Sequence, residues 1–167
     1  VVNEDWSITG VTKGLKDKAV NQLGTSGSGN HFVEFGSLAL VIPASDPAPL
    51  NLQRSLATPR LALLSHSGSR GPGAQVAAHY SNLARRLHPD LPKELSYLAW
   101  LDLDKSEGQE YWAAMELMGR FASANHRIIH DKIARDLAQL DAPVLFQVEN
   151  HHNFAWREQH TITDSSG

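Results

Sequence analysis

From residue 106 to about residue 140, apolar side chains recur at helical intervals. Trp112, Met115, Leu117, Met118, Phe121, Ile128, Ile129, Ile133 and Leu137 carry the pattern, and Gly119 is its one weak point. Ser106 and Gln109 have the spacing of a capping box, and Asp141 and Pro143 supply the stop. A helix of this length must lie against most of a domain, so the other elements have to be arranged around it. The chain has 167 residues, 41% of them hydrophobic, with four Trp, which suits one folded domain or a large piece of one.

The remaining elements are shorter. Residues 31–35 and 38–43 read as two strands joined by a tight turn at Gly36 and Ser37. The Pro- and Asp-rich stretch PASDPAPLNLQ reads as a surface loop. The apolar runs 60–66 and 144–150 read as strands ending in polar tips, and 74–87 as a helix with Val76, Ala77, Tyr80, Leu83, Ala84 and Leu87 on one side. Residues 1–24 show no clear element. The expected class is mixed α/β or α+β, with strands carrying His at their ends and one long helix.

Several functions are limited by composition. There is no Cys, so disulfides and thiolate ligands are excluded. The net charge of −3 shows no broad basic footprint for nucleic acid. No apolar run is long enough to span a bilayer and no signal-peptide pattern is present, so no membrane partner is expected and the cytoplasm is the default compartment.

Nine His are many for this length. Three stretches place them at a junction between a strand and a turn: GNHFVE carries His31, LLSHSGSRG carries His66, and VENHHNFA carries His151 and His152. Imidazole nitrogens bind Mn, Fe or Zn, and the neighbouring oxygens of Asn30, Glu34 and Asn153 favour a harder ion. A single His at a strand end is more often a hydrogen-bonding group than a ligand, so the shared design carries the argument. SGSRGPG offers a separate chemistry. Its glycines admit a phosphate, Ser67 and Ser69 offer hydroxyls, Arg70 offers a guanidinium, and the N–H groups of a following helix can face an anion. An ordinary strand-to-helix turn has the same composition. His126 and His130 lie one helical turn apart, and a solvated pair on a helix face is the expectation for them.

Taken together, these motifs resemble the RtcB family of RNA ligases. LGTSGSGNHFVEF is similar to the family's GT-x-G-x-GNHF-x-E motif, HSGSRGPG to HSGSRG-x-G, YWAAMELMGRFASAN to its long-helix pattern, and HHNFAWREQH to its HHN motif. They occur in family order over most of residues 20–160. The resemblance implies an RtcB-like fold and two Mn(II) sites. His31 would ligate one ion, and His66 and His152 the other. Asn30, His31, Phe32, Val33, Glu34, His152 and Asn153 would lie against a guanylate from GTP, with Ser67, Ser69 and Arg70 near phosphate or RNA. In the family a histidine takes GMP from GTP and passes it to an RNA 3′-phosphate, opened from a 2′,3′-cyclic phosphate where needed. A 5′-hydroxyl then displaces the GMP, as in joining tRNA halves or repairing broken RNA.

This sequence departs from the family pattern. The upstream D-x-G-C-G element and the downstream nucleophilic His have no counterpart in it, Ser26 replaces a usual Leu, His126 stands where Arg is frequent, and Pro72 is unusual. The expectation is that residues 1–167 are the central portion of one catalytic domain, inactive alone and contacting the missing parts of that domain. Two other readings stay open: a degenerate, non-catalytic module binding RNA or nucleotide, and a metal-dependent phosphoesterase using the three His and Glu34.

Overall fold

The computed structural model describes residues 1–39, 59–152 and 154–161. It mixes helices with a small sheet. The order is α1 (Gly10–Lys13), α2 (Lys16–Gln22), β1 (Phe32–Leu38), β2 (Arg60–His66), α3 (Arg70–Leu87), a 3-10 turn (Lys93–Leu98) and α4 (Ser106–Ala138). No helix among the described residues is long and apolar enough to cross a membrane.

Helix α4 is the axis the sequence predicts. Its 33 residues extend roughly 50 Å. The buried stripe runs Ala114, Leu117, Met118, Phe121, Ala122, Asn125 and Ile129, with Gly108 buried at its start. The capping box does not form. Lys105 is the N-cap without a side-chain bond, Ser106 Oγ donates to Glu107, and the Gln109 amide reaches back to the Leu103 carbonyl. The helix ends as expected. Asp141 enters the left-handed region at φ 55°, and Ala142 N donates to Leu137 O.

The first 24 residues do form elements, contrary to the sequence reading. Thr9 and Thr12 build a reciprocal cap on α1. Trp6, Leu15 and Ala19 enter the core with Val76 and Tyr80 of α3 and with α4. Trp6 meets Phe121 edge to face, with ring centroids 6.0 Å apart. Their spacing along the chain follows no single period, which is why no periodic window reveals them. Of the predicted α3 face, Val76, Tyr80 and Ala84 are buried, while Ala77 and Leu87 are exposed.

The sheet differs from the expected hairpin. Gly36 and Ser37 lie inside β1, opposite Ala62 and Leu61, and the strand pairs antiparallel with β2 rather than turning back. The predicted loop over PASDPAPLNLQ, and most of the predicted strand 38–43, lie outside the described residues. No strand is assigned over 144–150. The run is apolar but finds no ladder partner among the described residues.

The loop between α2 and β1 is held by one side chain. Asn125 is fully buried on α4. Its Oδ1 accepts from the backbone N–H of Gly24 (2.6 Å) and Thr25 (3.2 Å). Its Nδ2 donates to Thr25 O (3.0 Å) and Ser67 Oγ (3.1 Å). Both lone-pair directions and both protons of the amide are thus used. Gly24 sits at φ 77°, and a Cβ there would come 2.7 Å from Ile128 Cγ2, so the loop can approach α4 only as glycine. Asn125→Ala leaves several buried groups without partners and is expected to cost about 3 kcal/mol of unfolding free energy, read by urea denaturation. A loss under about 1 kcal/mol would show that water replaces the amide.

Candidate functional site

The register of the sheet sets the site. Phe32 pairs with His66 at the open end of the ladder. His31 comes immediately before β1 and His66 ends β2. Side chains alternate faces along a strand, so Phe32, Glu34 and His66 share one face while Val33 and Ser65 take the other. The His66 ring contacts both Phe32 (centroids 5.6 Å apart) and His31 (6.0 Å).

His152 completes the group from the extended segment after α4. Its Nε2 lies 3.0 Å from His66 Nε2. Two neutral imidazoles at this distance share one proton, one ring donating and the other accepting. The two nitrogens would be the donors to a divalent cation in place of the proton they share. The pair thus offers two donors of a type that suits a metal.

His31 fits less directly. Arg70 Nη1 approaches its Nδ1 at 3.4 Å, and a ring accepting there keeps its proton on Nε2. Binding an ion through Nε2 requires the guanidinium to release that contact. Among the described residues, no three His, Cys, Asp or Glu side chains stand together in a metal-holding group.

Arg70 is the cation of the site. It takes φ 54° at the first position of α3, a conformation rare for a side chain of this size. Its Nε donates to Thr25 Oγ1 at 3.2 Å, and its guanidinium lies over Gly27, where φ is 106° and any Cβ would collide with it. Ser67 is buried and donates to Ser26 O at 2.8 Å while accepting from Asn125, so its hydroxyl belongs to the clamp. Ser69 and Asn30 line the cleft. The N-terminus of α3 offers little to an anion. Gly71 N donates to Gln22 Oε1 (2.9 Å), Pro72 has no N–H, and Gly73 N donates to Ser69 O. Asn153 lies outside the described residues.

A cleft of about 430 Å³ is lined by Asn30, His31, His66, His126, His151 and His152. His126 and His130 are not a solvated pair. His126 Nδ1 faces Glu149 Oε1 at 3.6 Å, His151 Nε2 faces the same oxygen at 3.7 Å, and His126 Nε2 is buried without a partner among the described residues. His130 Nε2 lies 2.7 Å from Ser65 Oγ, and Gln147 Nε2 lies 3.4 Å from its Nδ1.

Sequence reasoning missed Asn125 and Glu149. The signal for Asn125 was present: it is the one amide on the apolar stripe of α4, at positions that otherwise read 114, 117, 118, 121, 122 and 129. Glu149 carried no such signal, because its partners are 23 residues before it on α4 and two after it.

Burial, followed by the neighbouring charge of His126, pushes the His130 imidazole below its usual value, while Glu149 and Asp131 oppose the shift. A depressed value means that the unfolded chain takes up the proton first. Stability from a neutral His130 is fully present above the unfolded value of about 6.5 and is lost as pH falls from there through the folded value. His130→Gln is expected to flatten the fall in stability between about pH 7 and 5, measured by denaturation at several pH values. An unchanged slope would remove His130 as its source.

The pattern of matches to known proteins follows the same elements. The family model described as tRNA-splicing ligase RtcB matches residues 3–166. A tRNA-splicing ligase RtcB of Nanoarchaeum equitans is 30% identical over 162 residues, covering 91% of this chain and 32% of that protein. The protein of the same name from Methanococcus maripaludis is 29% identical over 164 residues, with 91% and 32% covered. An RNA-splicing ligase RtcB homolog 1 of Entamoeba dispar is 26% identical over 170 residues, with 97% and 30% covered. The chain thus spans about a third of the length of the relatives it matches. With the family model matched along nearly every residue, from the segment that carries Trp6 to the segment that carries His152, the chain belongs to the RtcB family.

Proposed function

We propose that this chain is the central part of a GTP- and Mn(II)-dependent RNA ligase that joins 2′,3′-cyclic phosphate or 3′-phosphate ends to 5′-hydroxyl ends. The observation that carries the reading is the meeting of His31, His66 and His152, from three separate segments, at one cleft beside Arg70. The names of the relatives support ligation of RNA as the reaction class. A cleft of about 430 Å³ is within the range of small-molecule sites, as a nucleotide needs.

In this reading His66 and His152 would hold one Mn(II) and His31 would hold a second. Bound Mn(II) neutralises charge on phosphoryl oxygens. The chain's own groups do the positioning. Arg70 offers paired N–H groups to a phosphate, and its backbone and the Gly27 platform hold it before ligand arrives. Phe32 offers an apolar edge beside His66, and Glu34 shares that face. The cytoplasm remains the proposed location.

The test is calorimetric titration of Mn(II) into this chain and into His66→Ala and His152→Ala. Binding by the unsubstituted chain, removed by either substitution, is expected. Absence of binding by the unsubstituted chain would overturn the metal assignment. With Mn(II) and GTP the chain is expected to gain no covalent guanylate, since none of its residues matches the family's nucleophilic histidine. A mass increase of one GMP would reverse that point.

A further inference from the structure

We propose that Gly119 and Phe154 form a seat that positions His152, making both of them positioning residues for the cleft. Its functional meaning rests on the metal reading above, but its geometry does not. The segment carrying His152 has no strand, and among the described residues no backbone–backbone hydrogen bond ties residues 143–161 to the rest of the fold. Side chains alone hold it. Those of Gln147, Glu149 and His152 make polar contacts with His130, His126 and His66. Such contacts at an open cleft exchange readily with water, so they fix direction poorly without an apolar anchor.

Phe154 is that anchor. Its ring rests on α4 at Gly119, the glycine within the helix's apolar pattern. A Cβ at Gly119 would come 2.7 Å from Phe154 Cε2 and 2.9 Å from Cζ. Glycine weakens a helix interior, and here its presence leaves a gap in which an aromatic ring lies against the backbone. The ring is further held between His151 (centroids 5.9 Å apart) and Trp156 (5.2 Å). It lies two residues beyond His152, so seating it fixes where the imidazole can reach.

The test uses Gly119→Leu, which fills the seat with a good helix former, together with Phe154→Ala and the conservative Phe154→Leu. The readout is the proton NMR cross-peak between the His66 and His152 rings. The Trp6–Phe121 cross-peak serves as the control for an intact core. Gly119→Leu and Phe154→Ala are expected to lose the imidazole cross-peak and keep the core one, while Phe154→Leu keeps both. The melting temperature of Gly119→Leu should not fall, which separates positioning from a general structural role. Affinity for Mn(II) should drop about tenfold or more in the two disruptive variants. Retention of the imidazole cross-peak in either disruptive variant overturns the proposal, as does its absence from the unsubstituted chain. If the unsubstituted chain shows the cross-peak and both disruptive variants lose it, but no Mn(II) binds, the seat stands and the metal reading falls.

Discussion

One buried amide joins the parts of this molecule that carry its chemistry. Asn125 receives the Gly24–Thr25 turn, holds the Ser67 hydroxyl, and itself sits on the apolar stripe of α4. Through Thr25 and Ser26 the clamp reaches Arg70, and through the following glycines it sets where β1 begins with His31 beside it. The glycine-rich loop has no ladder of its own, so its shape comes from partners. Burying four hydrogen-bonding directions in one place makes the arrangement intolerant of near-substitutes, because any partner lost is lost away from water.

The legible parts of the fold were those with a period. The long helix followed from apolar spacing and its end from the stop at Asp141 and Pro143, and α3 followed in part, although it starts at Arg70 rather than residue 74. The misread parts were those decided by distant partners. Period-2 alternation does not say where a strand turns, so Gly36 looked like a corner when its true neighbour is Ala62. Residues 144–150 have strand composition, but composition cannot supply a neighbouring strand. Trp6, Leu15 and Ala19 are core residues in and around two short helices, packed with residues of α3 and α4.

At the site, the His residues announced themselves by standing at junctions, whereas their convergence depends on the register that pairs Phe32 with His66. The same register turns Val33 away from the face that Phe32 and Glu34 share. The two roles expected of the HSGSRG stretch also divide there. Arg70 keeps its guanidinium near the imidazoles, while Ser67 is absorbed into the Asn125 clamp. Neighbours in a motif are thus not neighbours in function, because helix and strand geometry sends adjacent side chains in different directions.

One end of the β1–β2 ladder carries the imidazoles and the other carries the connection between the strands. The Phe32–His66 pair lies six rungs, about 20 Å, from the Leu38–Arg60 pair, and 21 residues join the strands beyond that point. A one-residue slip anywhere along those rungs would turn His66 to the face that Val33 and Ser65 take, so the whole ladder sets the direction of the imidazole.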